Sequence, residues 1–374
     1  MRSLNLLIKP VSSLCNMRCK YCFYADVAAH RAVKSYGMMS EETLEKLVKK
    51  VFESAAEMAV FTFQGGEPTL AGLSFYHRFI ELQKKYNRNH ISVFNTIQTN
   101  GYLIDETWAK FFAENNFLVG LSIDGTKEIH DAMRHDAANF GTYHKAVAAA
   151  RLFDEYRVDY NILCVVNNQV SLQAKEVYRN LKKYRYIQFI ACLDGINQKR
   201  HGYSLREERY AKFLIETFHE YYRDFRAGNY VSVRNFDNYI GILLGREPEN
   251  CAMRGTCSCY FVIEGDGSVF PCDFYVLDEW KLGNIYNDSF EDMLRSARAV
   301  EFVHSSFEKN DECARCEYYA LCRGGCRRER VAGGCDHRLQ NQFCTAYKKF
   351  FEACYGEMAE MAQKIRELNG REEK

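Results

Sequence analysis

Cys15-Asn16-Met17-Arg18-Cys19-Lys20-Tyr21-Cys22-Phe23-Tyr24 follows closely on an apolar run at residues 3–8. That run is short and apolar, as a buried strand is. The spacing Cys-x3-Cys-x2-Cys then puts three thiols on one short loop after the strand. Thiolates are the usual ligands of iron–sulfur clusters. Three of them on a four-iron core leave one iron without a protein ligand. Catalytic metal sites keep such an open position, and structural sites close it. A zinc clip would want a fourth ligand close by, and none is near in the sequence.

Outward from this loop, further strand-like runs occur at 60–63, 91–98, 118–122, 160–166 and 186–190. Helix-like segments lie between them at 40–54, with Ser40 as N-cap, and at 73–86, 105–115, 143–156 and 172–184. Six βα units predict a parallel sheet with crossover helices. Periodicity alone does not separate an open sheet from a partial barrel. A helix-rich stretch at 205–227 ends at Gly228-Asn229. Beyond about residue 235 cysteines become dense, and Gly265-Asp266-Gly267-Ser268 reads as a hairpin turn. The expected division is therefore 1–235 and 236–374, with a polar tail at 366–374 that should fray.

With 374 residues and 47% hydrophobic content, the chain can bury a sizeable core. Its net charge of +1 argues against a nucleic-acid binder. No apolar stretch is long enough to span a membrane, and residues 1–10 do not resemble a signal peptide, so a cytoplasmic location is expected. Sixteen cysteines are many for a reducing compartment, where clustered spacing points to metal or catalysis. Cys164 and Cys192 lie in apolar runs and read as core residues. The histidines are scattered without metal-ligand spacing and read as structural.

The C-terminal third carries Cys251-x5-Cys257-x-Cys259, then Cys272-Asp273. Cys313-x2-Cys316-x5-Cys322-x3-Cys326 and finally Cys344 follow. On spacing alone, two four-thiol zinc sites and two iron–sulfur clusters both fit.

The three-thiol loop, with aromatic Tyr21 before its third cysteine, resembles the signature of the radical S-adenosylmethionine (SAM) superfamily. Gln64-Gly65-Gly66-Glu67-Pro68, Ser122-Ile123-Asp124-Gly125, Arg134 and Leu193 follow in the order that family expects. The resemblance implies that Tyr21, Gly66, Ser122, Arg134 and Leu193 bind the SAM cofactor. The later cysteines resemble a SPASM domain, which holds two auxiliary clusters. By that resemblance Cys251, Cys257, Cys272 and Cys326 hold the first, with Cys259 as an alternative to Cys257. Cys313, Cys316, Cys322 and Cys344 hold the second. Three 4Fe–4S clusters are thus implied, and Cys164, Cys192, Cys259, Cys335 and Cys354 are left over.

Strings such as Leu7-Ile8-Lys9-Pro10, Thr62-Phe63-Gln64-Gly65-Gly66-Glu67-Pro68-Thr69-Leu70-Ala71-Gly72 and Asp266-Gly267-Ser268-Val269-Phe270-Pro271-Cys272-Asp273-Phe274-Tyr275-Val276 are similar to the anaerobic sulfatase-maturating enzymes. This implies a partial (β/α)6 TIM-like barrel followed by a smaller SPASM domain with a β-hairpin and helices. It also implies oxidation of a Ser or Cys of a sulfatase to Cα-formylglycine, started by a 5′-deoxyadenosyl radical. Asp273 would take the proton from the target's oxygen or sulfur, and Tyr24, Gln64 and Gln98 would hold the peptide. Implied partners are an unfolded or nascent sulfatase polypeptide and a small flavodoxin- or ferredoxin-type electron donor. No nucleic acid and no membrane is expected, and the protein should be a monomer. Two alternatives stay open: a SPASM maturase that crosslinks a ribosomal peptide, and a non-catalytic metal-binding or electron-transfer protein. Many such maturases carry a recognition domain ahead of the radical domain, and the early position of Cys15 speaks against one here.

Overall fold

The computed structural model describes residues 1–372 apart from 198, 334 and 335. Strands β1 (Ser3–Ile8), β2 (Met58–Phe63), β3 (Ser92–Thr99), β4 (Phe117–Ser122), β5 (Tyr160–Val166) and β6 (Tyr186–Ala191) lie side by side in chain order. Every neighbouring pair is parallel. Among the described residues β1 and β6 do not pair with each other. The sheet instead runs on through β7 (Ser232–Val233) beside β6, and through β8 (Phe261–Ile263), β9 (Ser268–Phe270) and β10 (Gly283–Asn284) beyond β1. This is the expected α/β class, a ten-stranded sheet in which β8 and β1 to β7 run parallel, with no pairing of β1 to β6 among the described residues. The cysteine-rich region joins it edge to edge, because β8 pairs in parallel with β1.

The connecting helices form where an apolar stripe meets a good cap. They are α1 (Phe23–Ala29), α2 (Glu41–Ser54), α3 (Leu73–Tyr86), α4 (Glu106–Glu114), α5 (Lys127–Met133), α6 (Tyr143–Tyr156) and α7 (Ala174–Leu181). Ser40 caps α2 by accepting from the backbone N–H of Thr43, and Asp105 caps α4 through Trp108. In α2 the residues Leu44, Leu47, Val48 and Val51 recur at helical spacing, and all are buried. They pack on the outer face of the sheet, where Ala59, Phe61 and Phe63 of β2 alternate inward. The other face carries Thr62, Thr96, Gln98, Gly120, Leu163 and Gln188, and it lines cavities. A closed barrel fills that space with layers of branched apolar side chains. Here polar and small residues leave it open.

The helix expected over 172–184 is interrupted. Asn167 accepts from the N–H groups of Gln169 and Val170, which winds 170–173 into a tighter 3-10 turn before α7 begins. After β6 come α8 (Glu207–Arg226) and α9 (Arg234–Leu243), then the hairpin and the short helices α10 (Phe290–Arg295), α11 (Ala297–His304) and α12 (Tyr319–Cys322). The hairpin of β11 (Arg330–Gly333) and β12 (Asp336–Asn341) leads into α13 (Cys344–Glu372). The tail expected to fray is helical as far as Glu372. Phe350, Phe351, Cys354, Met358 and Met361 form a buried stripe that seats α13 on α8 and α9. No helix among the described residues is long and apolar enough to cross a membrane.

Candidate functional site

The three-thiol loop is held from both sides. Arg18 N–H donates to the carbonyl of His135 and Lys20 N–H to that of Met133, so the chain after α5 clamps it. Met17 N–H donates to Cys15 Sγ at 3.3 Å, and Cys22 stands at the N-cap position of α1 without a side-chain hydrogen bond to it. Cys15, Cys19 and Cys22 face a cavity of about 190 Å³ that Gly65, Gly66, Ser122, Arg134 and Leu193 also line. Gly66 sits at φ 57°, and a Cβ there would lie 2.1 Å from the carbonyl oxygen of Leu14, so only glycine fits the cradle. Burial pushes the Cys15 thiol up to about 12 and that of Cys19 to about 11, with Arg134 pulling the latter down. Thiols buried like these two become thiolates only beside a bound cation.

Two polar brackets shape the cavity, and sequence reasoning assigned neither. Glu67, buried, accepts from Thr69 N–H, the Thr69 hydroxyl at 2.6 Å, the Thr99 hydroxyl at 2.7 Å and Asn100 N–H at 2.8 Å. It thereby ties the end of β2 to the end of β3. Asp124, fully buried, accepts from Arg134 Nε at 2.9 Å, Val165 N–H at 2.9 Å and the Tyr21 hydroxyl. Tyr21 and Arg134 therefore share one carboxylate, and the guanidinium stacks 5.4 Å from the Tyr21 ring centre. Asp124 stood in a quoted string, but nothing local signals a partner ten residues on.

Asp273, 4% exposed and next to Cys272, lines a neighbouring cavity that shares Gln64, Gln98 and Leu193 with the thiol cavity. Its Oδ2 accepts from the Tyr24 hydroxyl at 2.6 Å and from Gln64 Nε2 at 3.3 Å, and Gln64 also donates to Tyr24. Its Oδ1 is buried without a hydrogen-bond partner. Burial raises this carboxyl above the usual range, while the Lys9 ammonium pulls it down. Lys9 lies 5.1 Å from the Tyr24 ring centre and 3.3 Å from Glu264, which also binds Arg31 at 2.6 Å. This buried charge group behind Tyr24 was absent from the sequence reading, and only the β8–β1 pairing assembles it. Gln98 lies where the thiol cavity, the Asp273 cavity and the open lumen meet.

Of the later cysteines, Cys313, Cys316, Cys322 and Cys344 surround one small cavity of about 30 Å³. Cys251, Cys257, Cys272 and Cys326 form a second set linked through mutual charge effects. Cys259 feels only Cys257 and lies against the carbonyl of Ala299 at 3.9 Å. Tyr260 bridges this set to Asp273, its hydroxyl meeting Cys272 Sγ at 3.4 Å and the Asp273 N–H at 3.0 Å. A tetrahedral zinc ion holds its thiolate sulfurs about 3.8 Å apart. Among the described residues no three cysteines bring their sulfurs within 4.8 Å of one another, so each set is too wide for one zinc and suits a larger cluster. Cys164 and Cys192 are buried as expected, though Cys192 also lines the thiol cavity. Cys335 lies outside the described residues.

Residues 10–181 match the family model of the radical SAM superfamily, and residues 251–317 match SPASM, an iron–sulfur cluster-binding domain. A cysteine-type anaerobic sulfatase-maturating enzyme of Clostridium novyi is 48% identical, over 98% of this chain and 99% of that protein. A serine-type anaerobic sulfatase-maturating enzyme of Bacteroides thetaiotaomicron is 31% identical, over 94% of this chain and 89% of that protein. A solved structure of native anSMEcpe with bound AdoMet and Cp18Cys peptide superposes with a TM-score of 0.92 at 46% identity. It covers 97% of this chain and 99% of that one.

Proposed function

The chain belongs to the anaerobic sulfatase-maturating enzymes, radical SAM proteins with a SPASM region that use SAM and three 4Fe–4S clusters, and from that membership we propose which residues do the work. Cys15, Cys19 and Cys22 hold the catalytic cluster, and Gly66, Ser122, Leu193, Tyr21 and Arg134 shape the place for SAM. Cys251, Cys257, Cys272 and Cys326 hold one auxiliary cluster; Cys313, Cys316, Cys322 and Cys344 hold the other. Residues 1–235 form the radical SAM portion and 236–374 the SPASM portion. When bound, the first cluster with SAM supplies a 5′-deoxyadenosyl radical for hydrogen abstraction, and the auxiliary clusters supply electron acceptors.

The protein's own contribution centres on Asp273. Tyr24 and Gln64 fix its Oδ2, which leaves Oδ1 free to accept the proton from the thiol or hydroxyl of the target residue. Asp273, held by Tyr24 and Gln64 at a cavity that Gln64 and Gln98 also line, is the observation that carries the reading. Tyr24 and Gln98 position the substrate backbone, and Tyr260 keeps the base beside the Cys272 set. The substrate is an extended segment of a sulfatase, its target residue a cysteine, as in the similar cysteine-type enzyme. The protein works as a monomer supplied by a small flavodoxin- or ferredoxin-type donor.

Anaerobic incubation of the reconstituted enzyme with reductant, SAM and paired peptides tests this. The peptides carry Cys or Ser at one position of a sulfatase sequence. Mass spectrometry should show conversion of the Cys peptide to the aldehyde well ahead of the Ser peptide. Formation of 5′-deoxyadenosine with neither peptide changed would overturn the substrate assignment.

A further inference from the structure

Outside the cysteine sets above, α8 and α13 pack together and bring His219, Cys354 and Glu357 into one group. His219 Nε2 lies 3.5 Å from Glu357 Oε2 and 3.8 Å from Cys354 Sγ. The three donor atoms are within 4.8 Å of one another, and among the described residues no other three metal-binding side chains are. A tetrahedral zinc with nitrogen, oxygen and sulfur ligands at ordinary bond lengths sets those atoms roughly 3.3–3.7 Å apart. This group thus already has the spacing of a mononuclear site, which every cysteine set lacks.

Its surroundings also want a cation. Cys354 is fully buried, and Glu357 Oε2 is shielded from solvent without a hydrogen-bond partner. The His219 side chain is 44% exposed, which gives an ion a way in and leaves room for a water ligand.

We propose that His219, Cys354 and Glu357 bind one zinc ion and so pin α13 to α8. On binding, the Cys354 thiol proton passes to solvent, and Nε2, Sγ and Oε2 each form a bond to the ion. Water takes the fourth position. Because α13 begins at Cys344, the pin steadies the helix that carries a cysteine of the second auxiliary set. Cys354 and Glu357 are one helical turn apart, but His219 is 135 residues from Cys354, so no spacing in the sequence announces the site.

The test uses the cluster-reconstituted enzyme, incubated anaerobically with zinc chloride and desalted. Metal analysis should find about one zinc per chain beside the full iron complement, and X-ray absorption at the zinc edge should show one sulfur among nitrogen and oxygen neighbours. His219→Ala and the near-isosteric Glu357→Gln should both lose the zinc while keeping iron and SAM cleavage. The zinc-dependent rise in melting temperature should vanish with it. Zinc that fails to stay bound would overturn the proposal. So would zinc in an all-sulfur shell that persists in both variants, since it would then occupy the cluster cysteines.

Discussion

The loop Cys15–Cys22 and the set Cys313, Cys316, Cys322 and Cys344 use the same side chain and treat space in opposite ways. Three thiols of the loop share about 190 Å³ with glycines, Ser122 and Leu193, whereas the four-thiol set encloses about 30 Å³ among Tyr318, Tyr347 and Phe351. On the proposed assignment the first arrangement keeps room for a second molecule beside its cluster, and the second leaves little space beside its thiols. Ligand number and neighbouring volume together separate a reacting centre from a relay.

That contrast can be broken at its strongest point with Cys15→Ala. Loss of one of three ligands should abolish SAM cleavage, read as 5′-deoxyadenosine by chromatography. Turnover at the wild-type rate would end the distinction. Asp273→Asn should keep iron and SAM cleavage but slow peptide oxidation by about 10²–10⁴-fold, the usual worth of a general base. A parallel loss of SAM cleavage would assign Asp273 to the loop centre instead. On the closed side, Cys344→Ser removes one proposed thiolate ligand and should lower bound iron and slow peptide oxidation at least about tenfold, read by iron analysis and mass spectrometry. SAM cleavage should stay within about a factor of two of wild type, as expected for sites that do not touch. The smallest effect belongs to the bracket around the open cavity. Thr99→Val removes one donor from buried Glu67 and should cost about 1–3 kcal/mol, seen as a melting shift of a few degrees with cleavage retained.

Much of the barrel was legible because each βα unit announces itself locally. β1 and β5 begin and end where the alternation of apolar residues does, and Ser40 and Asp105 mark helix starts by residue type. The interruption before α7 was not legible, because it depends on which backbone groups the Asn167 side chain reaches. The tail at 366–374 looked frayed by composition, yet the apolar stripe upstream carries the helix through to Glu372. Cys257 and Cys259 were indistinguishable by spacing. In the folded chain the charge of Cys257 reaches Cys251 and Cys272, and Cys259 Sγ lies 3.9 Å from the carbonyl oxygen of Ala299. The scattered histidines read as structural from spacing alone, and the meeting of His219 with Cys354 and Glu357 arises only from the packing of α8 on α13.

By itself the sequence determined the inventory and spacing of thiols, the three-thiol loop after the first strand and the α/β class. Each depends on residue type at short spacing, where chain geometry leaves little freedom. Tertiary structure alone decided the rest. It set Tyr24 and Gln64 against Asp273, across 249 and 209 residues, and brought Tyr21 and Arg134 to one carboxylate at Asp124. It also joined the β8–β9 hairpin to β1, which places Glu264 and Lys9 behind Tyr24. Such meetings arise from strand pairing and the burial of apolar faces, forces that act across the whole chain and leave no mark in local spacing.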